Sequence, residues 1–460
     1  MCIKDLNISL VQENRQVKDL IHRKLDIALN PYQLYMLINR EYEHSFLLES
    51  LEGKEKLARF SFIGFSPKSM VSASKKVVEI DGEVQDAPEP IRALAGAIPR
   101  KRLEKEGFAG GAVGYFSYDY VRNLENIPEK AGGESGFPDF EFGIFEDCIV
   151  YDHRAKSIHY LSHAEDRMRE VLALTKEDAF SGRFETGNAR ASMDKAQFVR
   201  AVETAKERIR DGEIFQVVLS RKYTVPFEGN LLRFYNHLKQ TNPSPYMYYL
   251  GFGQKSIIGS SPENLVRVEG RQIDSFATLA GTMPRGRTPE EDGMLEHKLL
   301  NDAKERAEHL MLVDLTRNDV GKVAAGGSVS VPELMGIYKY RHVQHMGSQV
   351  SGTLREGKDC FDAFDALFPA GTLTGAPKVR AMEIIEELEG QSRGPYGGAV
   401  GYFSFNGNCD FAITIRTLIA QRKKACVQAG AGIVHDSVPE REYDETEHKM
   451  RALMQSLEAG

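Results

Sequence analysis

Gly110-Gly-Ala-Val-Gly-Tyr-Phe-Ser117 occurs a second time, residue for residue, as Gly397-Gly-Ala-Val-Gly-Tyr-Phe-Ser404. Valine, tyrosine and phenylalanine favour strands, and glycine in a strand permits close approach of another backbone. The two copies lie too far apart for a solenoid repeat. Either two strand-forming segments coincide by chance, or the copies are equivalent strands of two lobes with related topology. The identity of all eight residues favours the second interpretation.

Short apolar runs alternate with turns and helical patterns on both sides of these segments. Up to about residue 160 they predict strands with a few helices between them. A polar stretch at residues 181–193 is the best candidate for a linker. Residues 194–210 predict an amphipathic helix with Phe198, Val202, Ala205 and Ile209 on its apolar face. The predicted fold is α/β, with a first lobe at residues 1–180 and a second domain at 192–460.

Size and composition limit the function classes. A chain of 460 residues exceeds one hydrophobic core, so two lobes are expected. A net charge of −7 without a basic block argues against a nucleic-acid or anionic-membrane surface. Five scattered cysteines without a CxxC motif suggest neither a zinc site nor a disulfide framework. No signal-peptide or membrane-spanning pattern is visible, and we therefore expect a cytoplasmic protein.

Two pairs of glutamates three residues apart are the first candidates for chemistry. They are Glu305 with Glu308, and Glu442 with Glu445. Residues at i and i+3 share a helix face, so each pair can direct two carboxylates at one point, where Mg²⁺ prefers oxygen ligands. Alternatively, such pairs decorate a solvated surface, and Glu305 has the spacing from Asp302 that closes a helix N-terminus. Ser437-Val-Pro-Glu440, in contrast, has the spacing of a capping box with Pro439 early in the helix, which leaves Glu442 and Glu445 free of capping.

Four further segments are ambiguous when taken singly. Residues 368–378 run through small residues into a helix beginning at Pro377, which suits either an anion site or a tight turn. Residues 428–432 form a small-residue loop that could offer N–H groups to an anion. Arg416 lies in a strand-like run at residues 411–419, where its guanidinium must be paired or bind a ligand. His345 ends the run from Tyr338 to His345, and a lone histidine is more often structural than catalytic.

Together these segments resemble the anthranilate synthase component I family of chorismate-utilising enzymes. The matching motifs occur in the family's order between residues 198 and 457. They are Gly212-Glu-Ile-Phe-Gln-Val-Val-Leu-Ser-Arg221, Ser261-Pro-Glu263, Leu279-Ala-Gly-Thr282, residues 305–314 and 371–378, Arg393-Gly-Pro-Tyr396, and residues 428–432 and 442–449. The resemblance implies two interleaved lobes, with β-sheets sandwiched between helices around a deep central cleft, and a chorismate-binding catalytic domain at residues 192–460.

The resemblance also implies a set of site residues. Mg²⁺ would be held by Glu308 and Glu445, with Glu305 and Glu442 beside them, and would bind the ring carboxylate of chorismate. Glu263 would be the general acid and His345 would serve the later elimination of pyruvate. Tyr396 and Arg416 suit the enolpyruvyl carboxylate. The remaining catalytic and substrate-site matches are Gln216, Thr372, Lys449, Gly281, Thr282, Gly430, Ala431 and Gly432.

Two positions distinguish between family members. Gln216 stands where members that add water tend to have a lysine base, and glutamine cannot deprotonate water. Ala280 stands where aminodeoxychorismate enzymes carry a lysine that forms a covalent adduct. Both positions imply direct attack of ammonia on chorismate. Component I of aminodeoxychorismate synthase and a catalytically silent, tryptophan-sensing subunit are the alternatives.

Regulation and partners follow from the same resemblance. Leu47-Leu-Glu-Ser50 and Asn242-Pro-Ser-Pro-Tyr-Met247 match motifs that line a tryptophan site in feedback-regulated members. We therefore expect Ser50, Pro245, Tyr246 and Met247 to bind L-tryptophan as an inhibitor. A separate glutamine amidotransferase subunit, component II, would supply ammonia in a heterotetramer. Thr278 and Met283 depart from the family's usual Pro and Arg, which leaves the details of that loop open.

Overall fold

The structure is a computed structural model that describes residues 20–51, 59–101, 107–129, 136–177, 182–340 and 343–458. Within these ranges the side chains of Ala280 and Thr282 are not described. The N-terminal part of the described chain forms these elements, in order: β1 (Ile21–Leu25), α1 (Pro31–Glu41), β2 (His44–Glu49), β3 (Phe60–Phe65), β4 (Ser69–Ser74), β5 (Val77–Ile80), β6 (Glu83–Asp86), α2 (Pro90–Ala97), β7 (Gly111–Phe116), β8 (Phe140–Phe145), β9 (Asp147–Asp152), β10 (Ser157–Ser162), α3 (Met168–Leu174), β11 (Phe184–Thr186) and β12 (Arg190–Ala191).

The C-terminal part contains the longer helices and strands. Its elements are α4 (Lys195–Arg210), β13 (Gln216–Gly229), α5 (Leu232–Thr241), β14 (Tyr246–Phe252), β15 (Lys255–Ser261), β16 (Asn264–Glu269), β17 (Gln272–Ser275), β18 (Ala280–Pro284), α6 (Pro289–Asn301), α7 (Ala303–Gly321), β19 (Ser330–Lys339), β20 (Val343–Thr353), α8 (Cys360–Leu367), β21 (Gly375–Ala376), α9 (Lys378–Glu389), β22 (Ala399–Ser404), β23 (Cys409–Ile413), β24 (Thr417–Gln421), β25 (Lys424–Ile433) and α10 (Pro439–Glu458).

The predicted helices are confirmed where the sequence carries local start signals. Asp194 caps α4 through a reciprocal capping box with Gln197. Phe198, Val202 and Ala205 of its predicted apolar face are buried. α10 begins at Pro439, as its sequence predicts. The structure differs from the linker predicted at residues 181–193. From residue 182 onward this stretch contains β11 and β12, which both pair with β13.

Two antiparallel sheets form the centre of the fold. Sheet 1 has 13 strands in the order β1-β10-β9-β3-β2-β14-β15-β24-β25-β13-β11, with β12 and β21 also pairing with β13. Sheet 2 has 12 strands in the order β18-β20-β17-β16-β23-β22-β7-β8-β4-β5-β6, with β19 pairing with β20. Both parts of the chain contribute strands to both sheets, which confirms the expected α/β fold with interleaved lobes.

The buried side chains define four layers. Phe46 and Tyr248 of sheet 1 pack with Val113 and Val400 of sheet 2 in a core between the sheets. The outer face of sheet 1 is covered by α1, α3, α5 and α10, and that of sheet 2 by α2, α7 and α8. A smaller core joins α4 and α9 to β13 and β25. Each sheet therefore has both faces buried, as expected of sheets sandwiched between helices. No helix in the described ranges is long and apolar enough to cross a membrane.

The eight-residue repeat lies at the centre of sheet 2. β7 pairs with β22, and Gly114 lies directly opposite its equivalent, Gly401. A Cβ atom at Gly114 would be 2.1 Å from the carbonyl oxygen of Glu141, and one at Gly401 would be 2.0 Å from that of Asp410. The two copies are equivalent strands, as expected. One copy comes from each expected lobe, and the two are hydrogen-bonded neighbours at a local two-fold axis, so the lobes share this sheet.

Candidate active site

Glu263 is a buried carboxyl group at the junction of β15 and β16. The residue is only 8% exposed. The hydroxyl of Thr372 donates a hydrogen bond to its Oε2 over 3.0 Å. Burial raises the pKa of Glu263 to about 7, although Thr372, Arg416 and Lys449 each act to lower it. A carboxyl group with this pKa is half protonated near neutral pH and can act as an acid.

Arg416 provides positive charge beside Glu263. It lies between β23 and β24 with φ of +49°, so the predicted continuous strand at residues 411–419 is interrupted there. Its half-buried guanidinium makes no hydrogen bond or ion pair with the described residues, and burial lowers its pKa. Such a group is ready to receive an anionic ligand, because an uncompensated guanidinium is costly to desolvate.

His345 of β20 is held as a neutral imidazole. Its Nδ1 is 3.1 Å from the carbonyl oxygen of Gly281. A carbonyl oxygen only accepts, so Nδ1 carries the proton and Nε2 presents its lone pair. Burial, together with the charges of Arg416 and Lys449, lowers the pKa of His345 to about 4. The imidazole is therefore suited to accept a proton rather than to supply a permanent charge.

Gly430, Ala431 and Gly432 lie inside β25, not in the small-residue loop that their sequence suggested. They pair with Ser220, Leu219 and Val218 of β13. Because the strand is buried and its residues are small, the sequence lacks the alternation that identifies a strand. A Cβ atom at Gly430 would be 3.1 Å from the Tyr396 hydroxyl, and the backbone of Gly430 hydrogen-bonds that hydroxyl.

Lys449 connects α10 to this strand. Its Nζ donates to the Gly430 carbonyl oxygen over 2.9 Å and lies 2.7 Å from Oε1 of Glu445. The lysine thus joins the glutamates of α10 to the group around Glu263 and His345, whose pKa values its charge influences.

The glutamate pair of α7 and that of α10 lie close enough for their charges to interact. The charge of Glu445 raises the pKa of Glu305, Glu308 and Glu442, in each case after the larger effect of burial. Asp302 caps α7 by accepting from the backbone N–H groups of Lys304 and Glu305. The cap therefore uses the backbone of Glu305 and leaves its carboxylate free for other contacts, which removes the capping interpretation of its spacing.

Gln216 of β13 contacts the same cluster. Its Nε2 donates to Oε1 of Glu308 over 2.9 Å, and its own Oε1 is buried without a hydrogen-bond partner among the described residues. Gly432 leaves room beside the pair, since a Cβ atom there would be 2.7 Å from Gln216 Nε2 and 3.7 Å from Glu308 Oε1. An amide in this position can orient the carboxylate but cannot serve as a base.

The carboxylates suit a hard divalent cation that keeps much of its water. Within the described ranges, no three acidic, histidine or cysteine side chains are grouped closely enough to form a metal cage. Mg²⁺ usually binds one or two carboxylates and completes its octahedron with water and substrate oxygens. The charge of Glu445 raises the pKa of the other three carboxyl groups, and a bound cation would offset this repulsion, so the donor set fits Mg²⁺.

Gly281 and Thr282 lie on β18, opposite the His345 strand. Gly281 has φ of +67°, and a Cβ atom there would be 2.9 Å from Glu305 Oε2. Thr282 pairs with His345 across β18 and β20, but its side chain lies outside the described part of the structure, as does that of Ala280. The structure thus brings the predicted acid, histidine, arginine, lysine and glutamates into one region through elements from both sheets.

The four residues predicted for tryptophan line one cavity away from this cluster. It has a volume of about 440 Å³ and is lined by Ser50, Pro245, Tyr246 and Met247, together with the aromatic rings of Phe60, Phe62, Tyr248 and Tyr402. Charged side chains of Arg59, Arg154, Arg267, Glu49, Glu269 and Asp410 also reach it. The Ser50 hydroxyl is buried without a hydrogen-bond partner in the described ranges. A lining of apolar and aromatic side chains combined with charged groups is typical of an amino-acid site.

Sequence reasoning missed Tyr340. Its ring packs edge-on against the His345 imidazole at 5.7 Å between centroids, and its hydroxyl is 3.5 Å from the Pro262 carbonyl oxygen. The only sequence signal for Tyr340 was its place in the run from Tyr338 to His345, in which only the histidine was a candidate site residue. Arg393 was noted as part of a motif, but its contacts could not be anticipated.

Comparison with known proteins agrees with this geometry. A family model described as chorismate binding enzyme matches residues 43–455. The chain is 50% identical over 434 residues to anthranilate synthase component 1 of Methanothermobacter marburgensis, with 93% of each chain covered. It is 48% identical over 445 residues to the protein of the same name from Acetivibrio thermocellus, with 90% of each covered.

Solved structures give the same result. Anthranilate synthase component I from Streptococcus pneumoniae superposes with a TM-score of 0.79 at 36% identity, covering 88% of this chain and 95% of that one. The menaquinone-specific isochorismate synthase from Escherichia coli superposes with a TM-score of 0.74 at 18% identity, covering 95% and 94%. The second match shows a shared fold only.

Proposed function

The chain belongs to the chorismate-binding enzymes, within the anthranilate synthase component I group, and from this premise we propose how its site makes anthranilate from chorismate and ammonia. The observation that carries the proposal is the buried, half-protonated Glu263 beside Arg416. It places a proton donor next to an anion-binding group, as the departure of a hydroxyl from an anionic ring requires.

In the first step, ammonia attacks C2 of chorismate and the C4 hydroxyl leaves as water. Glu263 supplies the proton to the leaving hydroxyl, and Thr372 orients its carboxyl group. Arg416 and Tyr396 hold the enolpyruvyl carboxylate. Gln216 cannot deprotonate water, which favours an amine nucleophile over hydrolysis. The product of this step is aminodeoxyisochorismate.

In the second step, pyruvate is eliminated and the ring becomes aromatic. His345 presents a neutral Nε2 because Nδ1 donates to Gly281, so the imidazole can accept the proton lost from the ring. Lys449 and the backbone of Gly281, Thr282, Gly430, Ala431 and Gly432 shape the surrounding pocket. Mg²⁺, held by Glu308 and Glu445 with Glu305 and Glu442 beside them, would supply positive charge for the ring carboxylate when bound.

The same proposal covers partners and regulation. A glutamine amidotransferase subunit, component II, supplies ammonia, and the two chains form a heterotetramer. L-Tryptophan inhibits by occupying the 440 Å³ cavity at Ser50, Pro245, Tyr246 and Met247, whose size and mixed lining support an aromatic amino acid. Cys360, Cys409 and Cys426 are free thiols, which supports a reducing, cytoplasmic location.

The decisive experiment incubates the purified chain with chorismate, Mg²⁺ and an ammonium salt, and follows anthranilate by fluorescence. We expect anthranilate and pyruvate in equal amounts. Accumulation of a 4-amino product without pyruvate would instead identify aminodeoxychorismate synthase component I. Binding of tryptophan without turnover would identify a silent sensor, and either result would overturn the proposal.

A further inference from the structure

Arg393 lies at the centre of a buried network behind the proposed site. Its side chain is 1% exposed, and it forms an ion pair with Glu389, which is 4% exposed. Nε and Nη2 donate to the two carboxylate oxygens of Glu389 over 2.9 and 2.6 Å. A bidentate pair of this kind fixes the plane and direction of the guanidinium.

The remaining donors of Arg393 reach backbone atoms of two elements that carry site residues. Nη1 donates to the Leu373 carbonyl oxygen over 2.7 Å, immediately after Thr372. Nη2 donates to the Val218 carbonyl oxygen over 2.9 Å, two residues after Gln216 in β13. The guanidinium carbon also lies 5.8 Å from the centre of the Tyr396 ring. One side chain therefore joins the Thr372 turn, the Gln216 strand and Tyr396.

Glu389 is itself fixed from the other side. Its Oε1 accepts from the backbone N–H and the hydroxyl of Ser220 over 2.7 and 2.8 Å. The Thr374 carbonyl oxygen accepts from the Val218 N–H over 2.8 Å, so the turn and β13 are already neighbours. Arg393 adds a charged anchor at the backbone of this turn.

We propose that Arg393, braced by Glu389, is a positioning residue that holds the Thr372 turn so that the Thr372 hydroxyl meets the Glu263 carboxyl group. The inference rests on the proposed function, since it assigns Glu263 the role of acid. The Arg393 side chain is buried, and it acts through the Leu373 carbonyl oxygen. A lysine cannot reproduce the arrangement, because its single ammonium lacks the planar fork that bonds Glu389 and two carbonyl groups together.

The test compares Arg393→Lys with Thr372→Val, their double variant and a matched control. Arg167→Lys is the control, because Arg167 also forms a bidentate pair, with Asp147, donates to the Phe65 carbonyl oxygen and stacks on the Phe65 ring. None of these partners belongs to the proposed site. Glu389→Asp, which keeps the ion pair but retracts its carboxylate, is a second variant in case Arg393→Lys does not fold.

We expect Arg393→Lys to lower kcat about 10- to 100-fold with KM changed less than about 3-fold, since misplacing a catalytic group slows the chemical step. The double variant should be about as slow as the slower single variant, because both changes remove one interaction. If the rate losses of the two single variants multiply in the double variant, the inference is overturned. It is also overturned if Arg393→Lys has the same kinetics as Arg167→Lys.

A measurement independent of turnover separates this inference from the proposed function. The pKa of Glu263 is read by NMR of ¹³C-labelled glutamate in each variant, with Glu263→Gln identifying the signal. Thr372 is the hydrogen-bond donor that lowers this pKa, and Arg416 and Lys449 are the charged groups that also face the carboxyl group. Arg393→Lys should raise the pKa as Thr372→Val does. An unchanged pKa refutes the inference even in an active enzyme, and a raised pKa supports it even if the chain makes no anthranilate.

Discussion

The hydroxyl of Thr372 donates a hydrogen bond to Oε2 of Glu263 over 3.0 Å, between a turn before α9 and the junction of β15 and β16. These residues are more than a hundred positions apart in the sequence. The contact joins a buried acid to a hydroxyl group that favours its ionised form, and burial still raises the pKa of the acid to about 7. Proton transfer in the proposed reaction depends on the pKa that these two opposing effects give Glu263.

Glu263→Gln should abolish most of the anthranilate synthesis. The amide keeps the size of the side chain but has no acidic proton, and general acids contribute about 10²- to 10⁴-fold to rates. The loss is measured as kcat with ammonium as the nitrogen source. Glu356→Gln on an exposed loop is the control and should retain activity. A Glu263→Gln enzyme within a few-fold of the unmodified one would contradict the assignment.

The rate should fall as the pH rises through about 7, because Glu263 acts in its protonated form. Thr372→Val should move this fall to higher pH. Its hydroxyl stabilises the ionised carboxylate, so removing it raises the pKa further and keeps the acid protonated longer. The measurement is kcat/KM against pH with chorismate varied. If the fall of kcat/KM moved to lower pH in Thr372→Val, a group other than Glu263 would control the decrease of the rate at high pH.

Chelation should stop the reaction, and Glu308→Gln or Glu445→Gln should raise the Mg²⁺ concentration for half-maximal rate at least about 10-fold. Each change removes one carboxylate from a cation that uses only one or two. Glu440 lies on the same helix as Glu445 but is exposed. Glu440→Gln should therefore need the same Mg²⁺ concentration for half-maximal rate as the unmodified chain. Equal Mg²⁺ requirements in all three variants would exclude the α7–α10 site.

Ser50→Phe should weaken inhibition by tryptophan at least about 10-fold, because a benzyl group placed in the 440 Å³ cavity occupies the space for the ligand. The inhibition curve is measured for each enzyme relative to its own rate without tryptophan. Isothermal titration with tryptophan gives a second, activity-free readout. If the inhibition curve of Ser50→Phe matches that of the unmodified chain, the regulatory site lies elsewhere.

Gly114→Ala should destabilise the fold by about 1–3 kcal/mol through overpacking. Its Cβ would meet the Glu141 carbonyl oxygen at 2.1 Å in the centre of sheet 2. Gly326→Ala is the matched control, because a Cβ atom there has no neighbour within 4 Å. Denaturant unfolding of both variants measures the difference. Equal midpoints would mean that the close approach of Gly114 to the Glu141 carbonyl oxygen is not required.

Much of the local structure was predictable from the chain. The start of α4 follows from Asp194 and Gln197, and that of α10 from Pro439, because capping and proline preferences act within a few residues. The strand at residues 428–432 was not predicted, because its local sequence favours a different structure from the one that forms. Its small residues favour loops locally, and only pairing with β13 stabilises them as a strand.

The sequence by itself determined the local helices, the shared face of each glutamate pair and, through the order of its motifs, the family. It could not determine that Gly114 pairs with Gly401, that Glu445 of α10 faces Glu305 and Glu308 of α7, or that Arg393 reaches the turn that follows Thr372. These contacts join residues far apart in the chain. They depend on how two sheets and their helices pack, because spacing along a helix or strand fixes only which side chains point the same way.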